Sequence, residues 1–264
     1  MLREIRHYTG VYLRFMSTCF AAASTYRLHF MLLIIMDQLF YLSMLGSVDF
    51  LYNNVPKIGD WGRDRFMFFV AFSLAIDHLH MSFISESFLE FSYDIRTGKL
   101  DFILLRPLNT LFSVFARQIR PATLVNFVTP WGVLIYFGLR LSLDVWAWVS
   151  MFPLVILGLL LLTSIEILLS MLMFWTVESM GINFLRIQLQ TISRWPDFIY
   201  QGFAKRFFTL VMPVLLIGSA PVYFLLDHSR WAGLIAMGAA LLMSWLLIAF
   251  FWRLGLKAYE SASS

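Results

Sequence analysis

The sequence predicts an all-α polytopic membrane protein: six transmembrane helices behind an N-terminal amphipathic interfacial helix, with both termini cytoplasmic. Three observations carry that expectation. Hydrophobic residues make up 60% of the chain and charged residues only 14%, against roughly a quarter charged in an average globular chain. A mean hydropathy of +0.76, with 27 Phe and 9 Trp in 264 residues, is more than so short a chain hides in a water-soluble core. The apolar residues also gather into six runs near membrane-crossing length. That length is roughly 20 residues, at about 1.5 Å of rise each across a ~30 Å hydrocarbon layer.

The interfacial helix occupies residues 1–27. Leu2, Ile5, Tyr8, Tyr12, Phe15 and Cys19 recur at helical spacing, while Arg3, His7 and Arg14 fall on the other side. Arg14 leaves the apolar run behind Arg3 and Arg6 too short for a signal core, so this segment is expected to be retained. The spans follow at about 28–51, 66–90, 121–139, 147–175, 207–226 and 231–252. The fourth is the cleanest, because Glu166 is the one charged residue between Val145 and Val177. It is longer than the hydrocarbon layer, so it tilts or projects. The second is interrupted by Asp77, His78, His80 and Glu86.

Orientation follows from the basic residues. With the N-terminus inside, fifteen of the twenty Lys and Arg fall on cytoplasmic segments and five outside. Residues 92–120 and 178–206 are then cytoplasmic loops. The net charge of +4 is spread singly along the chain, which reports topology and gives no nucleic-acid footprint. Cys19 is alone, so no internal disulfide forms, and no paired Cys/His spacing for zinc is present.

The first of these loops holds DIRTGKLDFILLRPLN, Asp94 to Asn109. A solvated loop of topology-setting charges is one reading. The cluster Leu100, Phe102, Ile103, Leu104 and Leu105 argues against it, since plain loops have little reason to expose such side chains. Next, LFSVFARQIR has Phe112, Phe115 and Ile119 on an apolar side, with Arg117 and Arg120 at polar positions. It suits the inner leaflet or a partner's surface. In the second loop Trp195, Phe198 and Tyr200 flank Pro196 and suit the headgroup layer, as linker or as docking element.

Ionisable residues inside spans are functional candidates, because each costs a few kcal/mol or more in lipid. Asp37 and Glu166 either line a cavity that attracts a cationic substrate or pair with neighbours to fix helix packing. His78 and His80 lie about 200° apart around a helix and cannot hold one ion from the same face. Asp77 and His80 share a face and are expected to form a hydrogen-bonded pair.

An ordered series of motifs then resembles a known family. It comprises G-x-L-D-x-x-L-L-R-P from Gly98 to Pro107, Phe174-Trp175, aromatic-Pro-x-x-x-Tyr from Trp195 to Tyr200, and Phe-Thr-x-x-x-Pro from Phe208 to Pro213. Ala220-Pro221 and W-x-x-G-L-x-x-Y-x-S-A from Trp252 to Ala262 complete it. Together they resemble the six-span permease subunits of the type-two ABC exporter superfamily, in the ABC-type export permease branch. Trp195 departs from the Tyr expected before the proline.

The resemblance implies a multi-pass protein of the bacterial cytoplasmic membrane that pairs with a second copy or a sister permease. It implies two copies of a separate ABC ATPase, which carry the ATP and Mg, with no cofactor on this chain and no catalysis by it. The chain has no G-x-x-x-x-G-K-[ST] loop, which fits that division. The resemblance also implies outward transport of a hydrophobic or amphipathic compound such as a drug, lipid or glycolipid. Under it, Arg96, Gly98, Leu100, Asp101, Phe102, Leu104, Leu105, Arg106 and Pro107 form the ATPase-coupling loop, and the N-terminal helix is a second contact. Asp37, Asp77, His80, Glu86 and Glu166 are the candidate translocation-path residues. A membrane-embedded enzyme using the same acids, or a scaffold with no path, is the competing reading. No H-E-x-x-H spacing supports the enzyme.

Overall fold

The computed structural model describes residues 2–176 and 180–259, with positions 2, 3 and 5 as backbone only. Val177, Glu178 and the Ser261-Ala262 end of the last motif therefore lie outside the described residues, as do the side chains of Leu2, Arg3 and Ile5.

Most of the described residues are helical, and none of them forms a named strand. In chain order the helices are α1 (Leu2–Thr25), α2 (Arg27–Asn54), α3 (Arg63–Phe83), α4 (Ser85–Thr97), α5 (Lys99–Leu104), α6 (Thr110–Phe115) and α7 (Pro121–Val125). They continue as α8 (Val128–Arg140), α9 (Val145–Ser170), α10 (Met173–Thr176), α11 (Met180–Ser193), α12 (Gly202–Arg206), α13 (Leu215–Leu226) and α14 (Ala232–Ala258). Among the described residues five stretches are long and apolar enough to cross a membrane: Arg27–Asn54, Arg63–Phe83, Pro121–Arg140, Val145–Thr176 and His228–Ala258. The bent pair Gly202–Val211 and Leu215–Leu226 makes a sixth if it counts as one span.

Helix α3 is the axis of the bundle. It packs against α2, α7, α8, α9 and α13, and 83% of its apolar window is buried, against 11% in α2 and 17% in the last span. Its sequence explains the difference, because Phe66 to Ile76 is apolar almost all round and suits a helix with neighbours on every side. Helices α2 and α14 leave long apolar faces exposed, as suits helices against lipid.

Local signals set the ends. Asp144 caps α9 by accepting from the Ala147 amide at 3.0 Å, and Asn109 caps α6 by accepting from Phe112 at 3.2 Å. Pro121 opens α7 at a position where its missing N–H costs nothing. Gly98 closes α4 at φ 70°, in the left-handed region that a Cβ disfavours.

Three expectations need correction. The second span ends at Phe83 instead of Leu89–Glu90, because the chain breaks at Ile84 and restarts as α4. The apolar run 207–226 is not one straight helix: Gly202–Val211 and Leu215–Leu226 meet at 90°, with Pro213 in the break. Its first half includes a π-helical turn over Phe207–Val211.

The segment 178–206 is not a single loop on the α5 side either. Helix α11 packs against α9 and α13 within the bundle. Beyond it, Phe198 meets Trp61 of the α2–α3 connection at 5.1 Å, and Trp195 meets Phe66 at 6.1 Å. Residues 195–200 therefore sit at the opposite end from α5. Arg194, Lys205 and Arg206 leave the set of residues that share a side with 92–120.

Helices α9 and α13 approach closely at Gly158. A Cβ there would sit 3.1 Å from the Ile217 carbonyl oxygen. Pro221 offers that oxygen no N–H from the next turn, so Gly158 makes room for an irregular stretch of backbone.

Candidate functional site

The α4–α6 segment is built as an exposed tip on a buried base. After the Gly98 turn, the helical period of α5 divides its side chains. Leu100 and Ile103 point into the core and Leu104 is half-buried. Phe102 is 70% exposed and Leu105 81% exposed. The apolar cluster therefore splits: Leu100, expected as part of a protruding knob, instead anchors α5, while Phe102 and Leu105 form the knob. Arg96, Arg106 and Pro107 are exposed around it. Asp101 is half-buried beside the Tyr259 hydroxyl, and burial together with that carboxylate pushes Tyr259 up to about 12. Asp101 thus faces the end of α14 instead of standing free.

The base is aromatic. Phe91 packs on Phe115 at 5.2 Å and on Phe174 at 5.6 Å, and Phe174 packs on Trp252 at 5.5 Å. Trp252 donates from its indole Nε1 to Thr110 Oγ1 at 2.9 Å. A Cβ on Gly255 would overlap the Phe174 ring, so this glycine lets α14 close on α10. Arg117 ion-pairs with the buried Asp94, tying α4 to the stretch after α6. Burial raises Asp94 above the usual carboxylate range, against the pull of Arg117. From the other side, Tyr8, Tyr12 and Phe15 of α1 all pack on Phe112, at 5.0, 6.4 and 6.3 Å. The Tyr8 hydroxyl also accepts from the Asn109 amide at 3.0 Å. The apolar side of α1 is therefore spent partly on this chain's own α6.

The ionisable residues inside the bundle are paired. Asp37 accepts from Thr123 at 2.6 Å and from Arg120 at 3.3 Å. Asp77 takes Arg194 at 2.5 Å and Gln190 at 3.0 Å. His80 meets Glu166 at 2.6 Å, with Arg186 at 3.6 Å from the same carboxylate oxygen. The expected Asp77–His80 pair is replaced by a bridge, since the Gln190 amide lies 3.4 Å from His80 Nδ1 while bonding Asp77. His78 turns away to the Thr123 carbonyl and Trp131, at 3.2 Å each. Arg186 and Arg194 also lie over the rings of Phe88 and Phe40, at 4.3 and 5.0 Å. Glu86 stays apart from this network, at the mouth of a groove between α1, α2, α4 and α7.

The model of the ABC-2 family transporter protein matches residues 31–263, nearly the whole chain. The chain belongs to the ABC-2 transporter family. It is the permease component of an ABC transporter, a multi-pass membrane protein whose family works with an ABC ATPase. Comparison with curated proteins and with solved structures returns no match.

In this ABC-2 permease the motifs dispersed along the sequence meet at two places. Gly98–Pro107, Phe174, Trp252, Gly255 and Tyr259 converge on the α4–α6 base. Trp195–Tyr200 and Tyr223 close the opposite end. Asp197 accepts from the Tyr223 hydroxyl at 2.6 Å and pairs with Lys205 at 2.7 Å, and its amide donates to Ser219 at 3.1 Å. Sequence reasoning missed Gln190, Arg186 and Arg194 as partners of the buried acids. Their i, i+4 and i+8 spacing on one helix face was the available signal.

Proposed function

We propose that this permease is the membrane half of an exporter. It pairs with a second copy or a sister permease and is driven by two copies of a separate ATPase bearing ATP and Mg. Both termini and the α4–α6 segment lie on the cytoplasmic side, and the cargo is a hydrophobic or amphipathic compound.

The observation that carries this reading is the pair of exposed side chains on α5 and at its C-cap. Phe102 and Leu105 stand out from an element whose other face is locked into the core by Leu100 and Ile103. Apolar anchors on a rigid support are what a docking surface needs. A load on them reaches α14 through Thr110–Trp252 and the α9–α10 end through Phe174. The cargo class is supported by the matched charges within the bundle, since Asp37, Asp77 and Glu166 each already face an arginine.

The test is copurification with the cognate ATPase from membranes. Phe102→Asp and Leu105→Asp should abolish it while insertion and thermal stability stay unchanged. Full copurification of both variants would overturn the proposal.

A further inference from the structure

The groove bounded by α1, α2, α4 and α7 lies apart from the α5 tip and meets the buried network at Arg120. It encloses about 530 Å³, within the size range of small-molecule sites. Ala22, Ala23 and Ala122 leave it open, and Phe30, Leu33 and Ile119 make its walls apolar. His29 stands at the corner where the chain turns from α1 into the first span, and Leu33 lies one turn deeper along α2.

Besides Cys19, Tyr26 and His29, three polar side chains break this apolar lining on the α4 and α7 side, and their charges are ordered. Glu86, half-buried in the first turn of α4, has no ion-pair or hydrogen-bond partner among the described residues. Gln118 uses its carbonyl oxygen on the Cys19 thiol, at 3.5 Å, and keeps its amide donors. Arg120 gives one guanidinium nitrogen to Asp37, and its side chain remains 21% exposed in the groove wall. A lone carboxylate calls for a cation, while amide and guanidinium donors call for an anion. All of them stand beside a slot for a hydrocarbon tail.

We infer that this groove is a binding site for an amine-headed phospholipid. The ammonium pairs with Glu86, the phosphate takes the donors of Gln118 and Arg120, and one acyl chain lies along Phe30 and Leu33. The inference does not rest on the exporter reading, and the assay below involves neither ATPase nor transport.

The full chain is reconstituted in vesicles of equal phosphatidylethanolamine and phosphatidylglycerol and released into mild detergent. Its retained lipids are then counted by native mass spectrometry. The amine lipid should be enriched roughly threefold to fivefold, the scale of a partly exposed ion pair. Glu86→Gln should bring the two lipids to parity while lipid stays bound. Ala23→Trp, which fills the slot, should lower retention of both, with its melting profile confirming the fold. Parity in the unaltered chain, or enrichment that survives Glu86→Gln, would overturn the inference. So would undiminished retention by a folded Ala23→Trp. If Ala23→Trp does not fold, Glu86→Gln decides alone.

Discussion

The Trp252 indole of α14 donates to the Thr110 hydroxyl of α6 at 2.9 Å, across 142 positions of sequence. This bond joins the last span to the segment that carries the exposed Phe102 and Leu105. Thr110→Val should leave a buried indole N–H unpaired and cost about 1–3 kcal/mol. Trp252→Ala removes the hub of the aromatic base and should cost ~3–5 kcal/mol. Unfolding in mixed micelles measures both, and the order Trp252 above Thr110 is the expected result.

Leu100 and Leu105 are chemically identical and five positions apart, yet one is fully buried and the other 81% exposed. Leu100→Ala should destabilise by about 2–5 kcal/mol, while Leu105→Ala should stay within about 0.5 kcal/mol. A thermal-shift series reads the contrast. Equal losses at the two sites would mean that α5 does not pack as described.

Asp77 and Arg194 are a test of buried pairing. Arg194→Met strands a carboxylate inside the bundle and should cost ~3–5 kcal/mol. Asp77→Asn in that background should recover much of the loss, because an amide needs no counter-charge. The double-mutant cycle gives the coupling, and additive effects would rule out the pair as a stabilising unit.

Asp144 predicts a pH response at the end opposite α5. The Ala147 amide, and then His228 at 3.1 Å, hold this exposed carboxyl below its usual range. A depressed folded-state value means that its contribution is present above the ordinary carboxylate value of about 3.9. That contribution is lost as pH falls through the lowered value. The protection of the Ala147 amide, taken relative to its intrinsic exchange rate at each pH, should therefore fall on acidification. Asp144→Asn, which still caps a helix, should flatten the profile.

Much of the fold was legible because lipid demands long apolar helices. Five of the six runs appear as helices or helix pairs near the expected places. The fifth misled because a run of twenty apolar residues reads alike whether straight or folded back, and Pro213 alone does not say which. Helix α11 was hidden for the reverse reason. Arg186, Gln190 and Arg194 look like loop residues until Glu166, Asp77 and His80 are placed opposite them. The α5 motif was found by composition, but its split into anchor and tip depended on which face met α4 and α6.

By itself, the sequence determined the membrane class, the order of the apolar helices and the one segment where charge and hydrophobicity crowd together. These follow from transfer free energies, which each residue carries wherever it stands. Only the tertiary structure decided that Leu100 is a root and Leu105 a tip, that residues 195–200 close the end opposite α5, and that the buried acids already face arginines. Burial and ion pairing are relations between distant residues, and no single position encodes them.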